Sequence, residues 1–148
     1  MNHELEILLV EDNPIDAELT IHALRKHHLA NHIIHVTDGQ AALDFFFGTG
    51  AGEGREALVQ PKLVLLDLKL PKVGGIEVLR RLRADERTKG VPVLVLTSSS
   101  EDRDVIETHH LGANSYIVKP VEFENFSAAV NNMGLYWMLL SAPPISKP

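Results

Sequence analysis

The sequence predicts an α/β fold, a parallel sheet wound on both faces by helices, on three observations. Five short apolar runs alternate with five segments of helical periodicity, the pattern of successive βαβ units. The runs are nearly continuous in Leu, Ile and Val, as strands covered on both faces require. Polar residues stand where these runs stop: Glu11 and Asp12 after Val10, Asp67 after Leu66, Thr97 after Leu96, and Lys119 after Val118. In an open parallel sheet, ligands bind outside the carboxyl ends of the strands. Three acids, a hydroxyl and a lysine brought together there suit a divalent cation and a phosphoryl group. The acids would hold the metal, and the lysine and hydroxyl would take the phosphoryl oxygens.

The elements follow in order. Leu5 to Val10 reads as strand 1. Asn13 is a good N-cap and Pro14 suits the first helical position, so helix 1 begins there, with Ile15, Leu19 and Ala23 as its expected inner face. His32 to Val36 reads as strand 2, and Asp38 can cap a helix 2 that buries Ala42, Phe45 and Phe46. Residues 48–54 hold four glycines and read as a loop. Strand 3 is Leu63 to Leu66, followed by a turn containing Pro71, Gly74 and Gly75. Helix 3 points Ile76, Leu79 and Leu82 inward, with Arg80, Arg81, Arg83 and Arg87 as a solvated group. Strand 4 is Val91 to Leu96. Helix 4 starts near Ser98 to Ser100, with Glu101, Asp102 and Asp104 favourable in its first turn and Gly112 as its C′ residue. Strand 5 is Ser115 to Val118. Helix 5 places Phe123, Phe126, Val130, Met133 and Trp137 on one face.

The bulk properties bound the function. A chain of 148 residues suits one domain with a core of ordinary size. The net charge of −6 argues against a general grip on nucleic-acid phosphates. The chain has no cysteine, which rules out disulfides and thiolate metal sites. No signal peptide is visible and every apolar run is far shorter than the ~20 residues that span a bilayer, so a cytoplasmic setting without membrane contact is expected. Residues 139–148 are expected to form a tail.

The segments Leu8-Leu9-Val10-Glu11-Asp12-Asn13, Leu65-Leu66-Asp67-Leu68 with Pro71 and Gly74-Gly75, Leu96-Thr97-Ser98, and Tyr116-Ile117-Val118-Lys119-Pro120 together resemble the receiver domain of two-component response regulators. The likeness runs over residues 5–135, and residues 5–138 are assigned to the domain. It implies a three-layer αβα, flavodoxin-like fold with strand order 2-1-3-4-5. It also implies phosphoryl transfer from a sensor histidine kinase to Asp67, with Mg2+ or Mn2+ held by Glu11, Asp12, Asp67 and the backbone carbonyl of Lys69. Thr97 and Lys119 would bind the phosphoryl group, Thr97 and Tyr116 would act as the switch pair, and the bond before Pro120 would be cis. Lys69 and Ser99, two residues past the nucleophile and the threonine, would flank the path of hydrolytic water, and Lys69 there suggests a long-lived phosphorylated form.

The glycine loop and the apolar stretch Leu135 to Leu140 look like single-domain regulators that serve bacterial phytochrome kinases. A homodimer is expected, through helix 4, strand 5 and helix 5 or through the C-terminal segment, and a DNA-binding output domain is not expected.

Plainer readings accompany these. Asp12 alone suits a helix cap, Thr97 a strand residue, Tyr116 a half-buried aromatic, and Lys119 a surface lysine. The clustered histidines His27, His28, His32, His35, His109 and His110 lack a metal-site spacing and read as surface residues. The glycine loop lacks the ending of a phosphate loop. Among rival functions, an aspartate-nucleophile phosphatase needs a second acid where Lys69 stands. A flavin carrier would find its phosphate repelled by Glu11 and Asp12. A phosphorylation-independent scaffold or dimerisation module would not need the full set of site residues. The chain is thus expected to be a stand-alone phosphoacceptor and not a dedicated enzyme.

Overall fold

The computed structural model describes residues 6–26, 32–48, 61–98 and 103–134, with backbone only over 103–106. Five strands and five helices alternate along the chain: β1 (Glu6–Val10), α1 (Pro14–Lys26), β2 (His32–Val36), α2 (Gly39–Phe47), β3 (Leu63–Asp67), α3 (Gly75–Ala84), β4 (Val93–Thr97), α4 (Arg103–His110), β5 (Ser115–Val118) and α5 (Phe123–Asn132). The strands form one sheet in the order β2-β1-β3-β4-β5. Every pairing is parallel. The sequence expected this architecture. β4 starts after Pro92, two residues later than the apolar run, because proline offers no N–H to a ladder.

Alternate strand residues feed two cores. Ile7, Leu9, Leu63, Leu65, Leu94 and Leu96 pack with Ala17 and Leu24 of α1 and with Phe126, Ala129 and Val130 of α5. Leu8, Val10, Val64, Leu66, Val93 and Val95 pack with Ala42, Leu43 and Phe46 of α2 and with Val78, Leu79 and Leu82 of α3. The three inner strands are therefore apolar on both faces, and their polar residues can appear only where the strands end.

The inner face of α1 differs from expectation. Ala17, Thr20 and Leu24 are its buried residues, while Ile15 is 66% and Leu19 50% exposed. At about 100° per residue, Ile15 and Leu19 stand almost opposite Ala17. At the helix start Asn13 Oδ1 accepts the backbone N–H of Ile15 and Asp16, and Asp16 reaches across to Lys119, just past β5. Ala17 and Leu24 join the core of the inner strands and α5, and that packing overrides a weak apolar spacing.

Asp38 caps α2 as expected, accepting the Ala41 N–H at 2.7 Å. Ala42 and Phe46 are buried, whereas Phe45 is only half-buried, edge-on to Phe46. In α3 Leu79 and Leu82 face inward and Ile76 is half-buried. Arg83 is not part of a solvated face. Its guanidinium donates to Gly112 O at 3.0 and 2.9 Å, to Lys89 O at 3.1 Å and to Asn114 Oδ1 at 3.0 Å. Arg83 therefore ties the end of α3 to the α4–β5 loop. Gly112 has φ 103° there, and a Cβ on it would meet Arg83 Nε at 3.0 Å. In α5 Phe126 and Val130 are buried, Met133 is half-buried and Phe123 is exposed.

Leu5, His27, His28, the loop from 49 to 54, Ser99 and Ser100, the first-turn acids Glu101 and Asp102, Trp137, the 135–140 stretch and the 139–148 tail lie outside the described residues.

Candidate functional site

A cleft of about 370 Å³ opens at the carboxyl ends of β1, β3, β4 and β5, lined among others by Glu11, Asp12, Asp16, Asp67, Lys69, Thr97 and Lys119. Parallel strands all point one way, so residues far apart in sequence meet at this edge. β1 delivers Glu11 and Asp12. β3 ends on Asp67, which is paired with Leu96, and β4 ends on Thr97, which is paired with Val118. The chain leaves β5 with the Lys119 N–H donating to Thr97 O at 2.8 Å. The bond from Lys119 to Pro120 is cis.

Gly75 packs against the backbone behind Asp67. Its N–H donates to Leu68 O at 3.0 Å, and a Cβ there would stand 2.4 Å from Asp67 O. Only glycine lets α3 start this close to the backbone that carries Asp67.

The electrostatics centre on Lys119. Its Nζ lies 2.9 Å from Glu11 Oε1, 3.1 Å from Asp16 Oδ2 and 3.4 Å from Asp67 Oδ2. Burial works against its charge, but the close carboxylate of Glu11, the field of Asp67 and the hydrogen bond Lys119 donates to Asp16 outweigh it and raise its pKa. Glu11 is fully buried. Burial, with further contributions from Asp67, pushes its pKa up to about 7 against the opposing contact with Lys119. The Glu11 Oε2 accepts the Asn13 N–H at 3.2 Å. Despite the close approach of Lys119, no described donor is aligned with Glu11 Oε1 in hydrogen-bond geometry.

Carboxylate oxygens of Glu11, Asp12 and Asp67 lie within 4.8 Å of one another. Asp12 is exposed while Glu11 and Asp67 are buried, so the group opens to solvent on one side. An all-oxygen donor set with an unaligned buried oxygen fits a hard divalent cation, which also retains water ligands. Lys69 lines the same cleft, and its N–H faces Asp67 Oδ1 at 3.5 Å. Thr97 is 3% exposed.

Tyr116 does not line the cleft. It stands on β5 opposite Val95, 43% exposed. His32, His35, His109 and His110 are exposed, and His35 Nε2 bonds with Glu11 O at 2.9 Å. Asp16 was not anticipated as a site residue. Its signal is its place three residues after the Asn13 cap, from which an acid can look back over the helix start.

The chain matches the response regulator receiver domain family over residues 7–131. It is 41% identical over 132 residues to the probable methanogenesis regulatory protein FilR2 of Methanothrix harundinacea, covering 89% of this chain and 83% of that protein. It is 35% identical over 132 residues to the response regulator Rcp1 of Synechocystis sp., covering 89% and 88%. The solved Mn(2+)-bound form of Rcp1 superposes with a TM-score of 0.73 at 34% identity, over 95% of this chain and 99% of that one. The bacteriophytochrome response regulator AtBRR superposes with a TM-score of 0.85 at 45% identity, over 95% and 100%.

Proposed function

This chain belongs to the response regulator receiver family, and from that premise we propose that it accepts a phosphoryl group on Asp67 from a sensor histidine kinase and signals through altered protein contacts. The observation that carries the reading is the convergence of Glu11, Asp12, Asp67 and Lys119 at one sheet edge. Glu11, Asp12, Asp67 and the Lys69 carbonyl would hold Mg2+ or Mn2+. When bound, the cation supplies positive charge that offsets repulsion between the carboxylates and an anionic phosphoryl donor.

The chain's own residues do the rest. Asp67 is the nucleophile. A carboxylate oxygen attacks phosphorus, and the phosphohistidine nitrogen leaves with the electron pair. Lys119, already in contact with Asp67, stabilises the charge on the transferred group as a compact cation. The Thr97 hydroxyl, at the end of the adjacent strand, accompanies the phosphoryl group and draws the β4–α4 connection with it. Tyr116 follows by turning inward from its exposed position, which changes the β5 surface. The chain assists its own phosphorylation and dephosphorylation and is not a dedicated enzyme.

The likeness to AtBRR and Rcp1 favours a kinase of the bacterial phytochrome type. The exposed Tyr116 on β5 and Phe123 on α5 favour a homodimer through α4, β5 and α5. Incubation with acetyl phosphate and Mg2+, followed by intact mass, tests the chemistry. The expected result is one phosphoryl adduct, absent in Asp67→Ala. A sizing run before and after labelling tests the dimer. A wild-type chain that acquires no adduct from acetyl phosphate or a histidine kinase would leave only a phosphorylation-independent scaffold.

A further inference from the structure

We propose that Asp16 is a positioning residue that restrains Lys119 in the resting state and gives up this lysine to a phosphoryl oxygen when Asp67 is modified. The inference rests on the phosphoacceptor reading above. An ammonium has three N–H donors and no acceptor. Three carboxylate oxygens surround that of Lys119, from Glu11, Asp16 and Asp67. Among the described residues only Asp16 Oδ2 accepts an aligned hydrogen bond from this Nζ, at 3.1 Å, so this bond fixes where the ammonium points, and turning Lys119 toward a phosphoryl oxygen on Asp67 breaks it.

The three are not equally free to leave. Glu11 is fully buried and tied to the Asn13 N–H. Asp67 carries the incoming group itself. The Asp16 side chain is 37% exposed, so water can take the place of Lys119 around it at the small cost of a partly exposed pair. Its backbone also stays in place on release, because its N–H is held by the Asn13 side chain. Asp16 is thus built to let go without disturbing the helix.

In labelling, an Asp67 carboxylate oxygen bonds to the phosphorus of acetyl phosphate, the P–O bond to acetate breaks, and acetate departs with that electron pair. Lys119 must turn toward the transferred group during this step, and Asp16 holds it back. Asp16→Asn keeps the shape and weakens the hold by removing its charge. At saturating Mg2+ its initial labelling rate is expected to rise about two- to fivefold, the range of a partly exposed ion pair. Asp16→Glu keeps the charge and is expected to restore the slow rate. Glu18→Gln removes an exposed charge from the same helix away from Lys119 and controls for a general field effect.

The second readout is the Lys119 15Nζ resonance of the unphosphorylated protein, which is expected to shift or broaden in Asp16→Asn and to persist in Glu18→Gln. An Asp16→Asn rate equal to or below wild type, a Glu18→Gln rate matching that of Asp16→Asn, or an unchanged Lys119 resonance overturns the proposal. A wild-type protein that never labels overturns the phosphoacceptor reading, and this inference with it. A wild type that labels, alongside an unaltered Asp16→Asn, overturns the inference alone.

Discussion

Without metal, the stability of this protein should fall as pH rises from 5 to 8, which is opposite to the usual behaviour of an ion-paired carboxylate. The group responsible is Glu11, fully buried beside Asp67 and raised from an ordinary 4.5 to about 7. Its folded pKa lies above its unfolded one, so its contribution is complete below about pH 4.5 and is lost as pH climbs through about 7. At about 1.4 kcal/mol per pH unit, the loss is about 3 kcal/mol in full and about 2–3 kcal/mol between pH 5 and 8. Losses of that size are a large fraction of a domain's stability.

The assay is urea unfolding in EDTA at half-unit pH steps, repeated in saturating Mg2+. A cation held at Glu11 would compete with the proton there, so Mg2+ should stabilise more at pH 8 than at pH 5 and flatten the decline. Glu11→Gln should flatten it without metal. A wild-type stability that is constant or rises over this range in EDTA would refute the reasoning, as would a Glu11→Gln variant with the parental slope. The exposed Asp85–Arg87 pair acts elsewhere. Hydrogen bonds from Arg87 lower Asp85 to about 2, so what it contributes is present above the ordinary value of 3.8 and lost only as pH falls toward 2.

Lys119→Ala should bind Mg2+ more tightly, because a cation leaves the acidic cluster, while its phosphorylation rate falls about 10²-fold or more, as for loss of an oxyanion donor; calorimetry and intact mass read the two. Gly75→Ala places a methyl against Asp67 O and should cost about 1–3 kcal/mol in urea unfolding, with slower labelling as the backbone of Asp67 moves. Arg83→Met should cost about 0.5–1.5 kcal/mol by removing the exposed hydrogen bonds to the Gly112 and Lys89 carbonyls, with Mg2+ affinity unchanged by calorimetry. Lys69→Asn uncovers one side of the cleft, and the phosphoryl adduct should decay faster in a timed mass series.

The candidate site was legible where chemistry coincides with a strand end. Asp67 ends a strand of buried residues and Lys119 follows the end of β5, and a charged residue placed there has little else to do than face the sheet edge. The capping role of Asp38 was legible for a similar reason, since a cap acts within four residues of itself. The orientation of α1 was not. Ile15, Leu19 and Ala23 make as good an apolar row as Ala17, Thr20 and Leu24, and the choice between them is made by the packing of Ala17 and Leu24 in one core with Leu65, Leu96 and Phe126, all distant in the chain. Arg83 was misjudged for the same reason: its acceptors, Gly112 and Asn114, are 29 and 31 residues away.

What the sequence by itself determined is whatever depends on neighbours along the chain: which segments are strands or helices, that the inner strands are apolar on both sides, and which polar residues end the strands. A period of two or of 3.6 and a local cap are properties of short windows. Only the tertiary structure decided the partners of Lys119, the rotation of α1, the buried state of Glu11 and the clamp of Arg83 on the α4–β5 loop. Those depend on Coulomb and hydrogen-bond contacts that act over a few ångströms between residues distant in the chain, and no local pattern encodes which of several charged side chains will meet.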